Sequence, residues 1–94
     1  MNRLVLTATL VQRSALRFTP AGLPALDLQL AHAGTVSEDD QPRKVSLEMR
    51  AVAIGAITQA LAALALGEAA DFVGFVAGAR NGRGVVFHVT AVER

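Results

Sequence analysis

Through most of this chain apolar residues recur at every second position, and in one place only they recur at every third or fourth. Period two is the signature of a strand with two distinct faces, and period 3.6 that of a helix. In Arg3–Gln12, Leu4, Leu6, Ala8 and Leu10 share one face, with Val5, Thr7, Thr9 and Val11 on the other. Ala25–Ala33 repeats the pattern, with Leu26, Leu28, Leu30 and His32 inward and Asp27, Gln29, Ala31 and Ala33 outward. In Arg43–Arg50 the alternation is cleanest: Val45, Leu47 and Met49 read as core, and Lys44, Ser46, Glu48 and Arg50 as surface. Ala70–Ala79 and Val85–Val92 supply two more segments of strand composition. The exception is Ala51–Leu66, where Ile54, Ile57, Leu61 and Leu64 fall three or four apart. That spacing predicts a short amphipathic helix, with Gly67 placed as its C-terminal cap.

Between these segments lie turn signals. Thr19-Pro20-Ala21-Gly22-Leu23-Pro24 reads as a tight reversal. Gly34–Pro42 is the most polar stretch and predicts a solvated loop. Asn81-Gly82 predicts a type I′ hairpin turn joining the last two strands. Three strands, a helix, then a hairpin is the order of an all-β, five-stranded Greek-key barrel of the oligonucleotide/oligosaccharide-binding type, the OB-fold, whose single helix lies between the third and fourth strands. A sandwich or an SH3-like barrel gives no reason for a helix at that place. Ninety-four residues suffice for one such core, so residues 1–94 are expected to form a single domain.

Several function classes find no support. The chain has no Cys, which removes disulfide scaffolds, thiolate metal sites and thiol catalysis, and fits a reducing cytoplasm. Its start reads directly as a strand, not as a secretory signal, and its longest apolar run, broken by Gly55, Thr58 and Gln59, predicts no membrane span. His32 and His88 stand on separate strands without ligand spacing and read as structural histidines. The serines Ser14, Ser37 and Ser46 have no nucleophile context. Glu38, Asp39 and Asp40 lack the spacing and glycine of a calcium loop, and Gly74, Gly78, Gly82 and Gly84 are strung along a hairpin instead of gathered before a helix. No enzyme and no cofactor are expected.

Binding has a better basis. Net charge is only +1, so placement decides. An OB-fold grips single strands on the outer face of its second and third strands and on the loops joining strands one to two and four to five. Arg13 and Arg17 precede the first of those loops, Lys44 and Arg50 project from the third strand, and Arg80 and Arg83 bracket Asn81-Gly82. Glu48 and Asp27 oppose this on the same faces, and neither strand offers an outward aromatic on which a base could stack. A protein-interaction adaptor built on the same barrel is the competing reading. Val5, Val11, Val73, Phe75, Val86 and Val92 fall on the strand faces turned away from the core, an apolar excess that predicts a homodimer.

The opening Asn2-Arg3-Leu4-Val5-Leu6, the turn from Leu16 to Pro24, Leu28–His32 and Arg43–Val52 resemble the primosomal replication protein N (PriB) family. So do Gly67, Val73-Gly74-Phe75, Asn81-Gly82 and Val86-Phe87-His88, in the same order along almost the whole chain. The Thr-Pro-Ala-Gly-Leu-Pro turn followed by Leu-Ala-His is the specific part, since general single-stranded DNA-binding proteins of this fold lack that combination. The resemblance implies a dimeric, non-catalytic OB-fold protein that binds single-stranded DNA. It would act in restart of stalled replication forks, with the primosomal helicase and a DnaT-type loader as partners. Carried over by position, it assigns basic contacts to Arg17, Arg80 and Arg83. Two positions depart: Ser46 stands where well-known members carry an aromatic, and Ala33 where they carry a basic residue. A strand bound here is therefore expected to be held chiefly by its phosphates, with Arg13, Arg17, Lys44, Ser46, Arg50, Arg80 and Arg83 as the candidate surface.

Overall fold

A computed structural model describes all 94 residues. The elements are β1 (Leu4–Arg13), β2 (Arg17–Phe18), β3 (Pro24–Glu38), β4 (Gln41–Ile54), α1 (Ile57–Ala63), β5 (Ala69–Gly78) and β6 (Val85–Glu93). The strands hydrogen-bond in the order β1-β5-β6-β4-β3-β2, and a β1–β3 pairing closes the barrel. This is the five-stranded OB-fold barrel expected from the sequence, with the two-residue β2 added at an edge. All pairings are antiparallel except β4–β6, where Ala51 faces Phe87 and Val52 faces His88. No helix is long and apolar enough to cross a membrane.

The alternation read from the sequence sets the core. Ala8 and Leu10 of β1, Leu26, Leu28 and Leu30 of β3, Ala51 and Ala53 of β4, Phe72 of β5 and Phe87 and Val89 of β6 are buried together. Register explains the small residues: Leu26 faces Ala53 and Leu28 faces Ala51, so each bulky side chain has room across the ladder. Each fully buried Leu or Phe contributes about 1.5–3 kcal/mol through removal of apolar surface from water. Val92, read as outward, packs against this core, because a bulge between Val73 and Gly74 and their β6 partners resets the alternation after Val89. At that bulge a Cβ on Gly74 would lie 1.8 Å from the His88 carbonyl oxygen, so no side chain fits.

The helix is much shorter than the sequence predicts. Ala51–Ile54 belongs to β4, and α1 has seven residues. Its N-cap, Ala56, offers no side-chain cap, and so short a helix is marginal by itself. Burial of Thr58, Leu61 and Leu64 holds it against the barrel. The helix ends at Leu64, and Gly67 (φ +88°) serves the turn beyond, donating its N–H to the Leu10 carbonyl at 2.7 Å.

Gly34–Pro42 is not a loop. β3 and β4 pair without a break from Ala25–Ile54 to Glu38–Gln41, joined by Asp39 (φ 51°) and Asp40 (φ 60°). Two left-handed residues in succession are the geometry of a two-residue type I′ turn. The outer half of this hairpin is an arm running beyond the barrel, and the molecule measures 48 Å along its long axis. Leu47, read as core, is consequently exposed, while Val45 and Met49 are half-buried. The Asn81-Gly82 expectation also fails in detail. β5 and β6 are joined by the six residues 79–84, in which Gly82 and Gly84 adopt positive φ and Asn81 does not. Asn81 instead accepts the Arg83 N–H on its side-chain oxygen at 2.9 Å.

Candidate nucleic-acid interface

Because the β3–β4 register is continuous, the outer face can be read residue by residue. Cross-strand partners share a face, so Thr35 lies beside Lys44, Ala33 beside Ser46, Ala31 beside Glu48 and Gln29 beside Arg50. Lys44, Ser46 and Arg50 thus stand in one row, two-residue steps apart, with Glu48 interrupting it. At roughly 3.3 Å per residue, successive members of the row are about 6.6 Å apart. All four are exposed.

Arg17 reaches the same face from β2, where it pairs with Ala25. Its guanidinium forms a two-pronged ion pair with Asp27, 2.8 Å from Nε to Oδ2 and 2.9 Å from an Nη to Oδ1. The hydrogen bond from Arg17 holds the Asp27 carboxyl below its ordinary value, against the opposing effect of partial burial; the charges of Arg17 and Arg50 act in the same lowering direction. Arg17 and Arg50 therefore both lie within electrostatic reach of one carboxylate. Arg50 and Asp27 also line a groove of about 450 Å³, together with Gln12, Arg13, Gln29 and Val86.

Arg13 is placed differently from the other cations. Half-buried at the end of β1, it donates to the carbonyl oxygens of Leu61 at 3.1 Å and Leu64 at 2.5 Å. Both acceptors lie at the C-terminus of α1, where a cation is favoured, and the Leu61 carbonyl also takes the Leu64 N–H at 3.3 Å. Arg13 is a helix clamp before it is anything else. Arg80 and Arg83 are exposed in the β5–β6 loop, which enters β6 at Val85 and Val86, the latter a wall of the groove that Arg50 lines. Arg43, adjacent to Lys44, points to the opposite face and pairs with Glu38.

Sequence reasoning missed two aromatics. Phe18, in the β1–β3 connection, is 65% exposed beside Arg17. Phe75 stacks on His88 across β5 and β6, ring centroids 4.7 Å apart and planes within 8° of parallel, on the outside of the barrel. Phe75 was visible as an outward apolar residue, but its partner was not. Nothing in the pattern around Phe18 distinguishes it from turn filler. His32, for its part, donates from Nδ1 to the Thr7 carbonyl at 2.6 Å, as a structural histidine does.

A closed barrel with one plugging helix, a projecting hairpin and cations on the outer β3–β4 face is the framework of single-strand-binding OB-folds. Residues 2–91 match the model described as another single-strand binding protein family. The replication restart protein PriB of Bordetella pertussis is 46% identical over 81 residues, which cover 86% of this chain and 76% of that protein. The structure of PriB from Ralstonia solanacearum superposes with a TM-score of 0.89 at 38% identity, over 99% of this chain and 96% of that one. The single-stranded DNA binding protein from Thermus aquaticus is more distant, with a TM-score of 0.75 at 26% identity over 99% of this chain and 49% of that one. The chain belongs to this single-strand binding family and, within it, to the replication restart protein PriB group.

Proposed function

We propose that this protein binds single-stranded DNA on the outer face of β3 and β4 and serves, without catalysis, in replication restart. The row Lys44–Ser46–Arg50, flanked by Arg17 and by Arg80 and Arg83 of the β5–β6 loop, carries the reading. These guanidinium and ammonium groups stand on an open surface where a polyanion can lie. With Ser46 and Ala33 at the centre of that face, no aromatic platform is offered there, so phosphate contacts dominate. Titration with a fluorescent oligo-dT is expected to give affinity that falls steeply as salt rises, since each neutralised phosphate of a single strand contributes about −0.7 to the slope of log K against log salt. A salt-insensitive isotherm contradicts it. The adaptor reading draws on one observation, that Asp27 already occupies Arg17. It gains if the protein binds a primosomal helicase or loader yet ignores oligo-dT at low salt.

The same reading includes a homodimer. Along Leu4–Ala8, β1 is paired to β5 on one edge, while its other edge forms no ladder with β3 before Thr9 and only its Thr7 carbonyl is taken, by the His32 side chain. Unpaired strand edges invite a second strand, and two-fold pairing of β1 with its copy satisfies both at once. Val5, 56% exposed on the outer face beside Val73, would be covered by it. Light scattering is expected to return twice the chain mass, and the mass of one chain at micromolar concentration contradicts the dimer.

A further inference from the structure

The carboxylate in the middle of the basic row is the feature that phosphate binding leaves unexplained. On the outer face Asp27 holds Arg17 and Asp71 accepts the Thr7 hydroxyl at 2.6 Å, while Glu93, beside Asp71 on β6, is unpaired but stands outside the basic row. Glu48 has no partner and is exposed, between Ser46 and Arg50. Beside a phosphate it is repulsive. Its surroundings suit a different part of the strand. Registers place Ala69, Thr9, Ala31 and Glu48 in one row across β5, β1, β3 and β4, with Ala33 and Ser46 in the next. These small side chains floor a shallow groove of about 370 Å³ with Glu48 on its rim. Methyl groups and hydroxyls make a bed on which a planar ring can rest, with the larger His32 and Leu47 also lining the groove.

We infer that this groove takes a nucleobase and that Glu48 reads its amino group, so the protein prefers strands bearing cytosine over strands of thymine. The inference rests on the binding role proposed above. Cytosine presents an N4 amino donor to a carboxylate, with the N3 acceptor beside it for the Ser46 hydroxyl. Thymine presents an O4 carbonyl at the same place, and two oxygen acceptors then face each other with no proton between them. The cations on either side, Lys44 and Arg50, are two residues from Ser46 and Glu48 respectively, so backbone phosphates can sit over them while the base drops between.

Oligo-dC and oligo-dT of equal length, titrated in the same low-salt buffer above pH 7, test this, because both are pyrimidine strands that differ chiefly in that edge. Wild type is expected to bind oligo-dC at least about threefold more tightly, a fraction of the discrimination that a well-formed bidentate base contact provides. In Glu48→Gln, whose amide offers a donor as well as an acceptor, oligo-dT affinity rises and the preference disappears. If Glu48 acts only as a repulsive charge, Glu48→Gln raises both affinities by the same factor and leaves their ratio unchanged, which overturns the inference. Equal wild-type affinities overturn it too, with DNA binding intact. Failure of both oligonucleotides to bind refutes the binding role itself. Circular dichroism of Glu48→Gln confirms the fold, which an exposed, unpaired residue is expected to leave unaltered.

Discussion

Replacing Arg13 by Ala separates the cations that hold the barrel together from those that face a ligand. Two carbonyl oxygens, those of Leu61 and Leu64, lose a charged donor at 3.1 and 2.5 Å. A hydrogen bond from a charged group contributes about 1.5–3 kcal/mol when well sheltered. Arg13 is only half-buried and both carbonyls can turn to water, which reduces the loss for the pair to about 1.5 kcal/mol. In a domain of this size each kcal/mol is about 4–8 °C, so Arg13→Ala is expected to melt roughly 6–12 °C below wild type. Differential scanning calorimetry reads the shift. Arg13→Lys, which keeps the charge but loses the planar fork, falls between the two. Oligo-dT affinity measured well below either melting point should change little. A melting temperature within about 2 °C of wild type, with affinity reduced tenfold, refutes the clamp and returns Arg13 to the binding face.

Other perturbations follow from single contacts. Asp27→Asn releases Arg17, so oligo-dT binding should strengthen and the salt slope should steepen by the equivalent of about one phosphate; an unchanged slope shows that Arg17 does not reach DNA. The pair also has a pH signature. Asp27 is held below its ordinary value of 3.8, so its contribution to stability is complete above that pH and is lost as pH falls through the lowered folded-state value; an Asp27→Asn chain should lack this acid-side loss in a pH series of melts. Gly74→Ala forces a Cβ against the His88 carbonyl and should cost about 2–3 kcal/mol, visible as a lower midpoint in urea. Asp39→Asn with Asp40→Gly suits the two left-handed positions better, and amide exchange over Val36–Arg43 should slow about fivefold while the global melt stays in place.

The barrel was legible because its strands are half-buried. Leu26, Leu28 and Leu30 against Asp27 and Gln29 announce one wet and one dry face, and that contrast exists only where a core lies on one side. The arm failed for the same reason. From Gly34 to Glu38 both faces meet solvent, so no alternation is written there, and Asp-Asp is a weaker turn signal than Asn-Gly. Ala51–Ile54 misled because alanines in the small-residue rows opposite Leu26 and Leu28 also suit a helix, and periodicity cannot separate a buried strand from a helix over four residues. At the candidate interface, the β4 row could be read from parity. The Arg17–Asp27 pair, the Arg13 clamp and the groove beside Glu48 could not, because each joins residues 10 to 60 positions apart that only the folded sheet brings together.

Whether the outer face of β4 holds DNA by its phosphates is decided most directly by the salt slope of a double variant. Oligo-dT titrations of wild type and Lys44→Ala/Arg50→Ala, repeated across a salt series, should give slopes of log K that differ by about 1.4, two single-strand phosphates' worth. Equal slopes, whatever the affinities, mean that the strand lies elsewhere on the barrel.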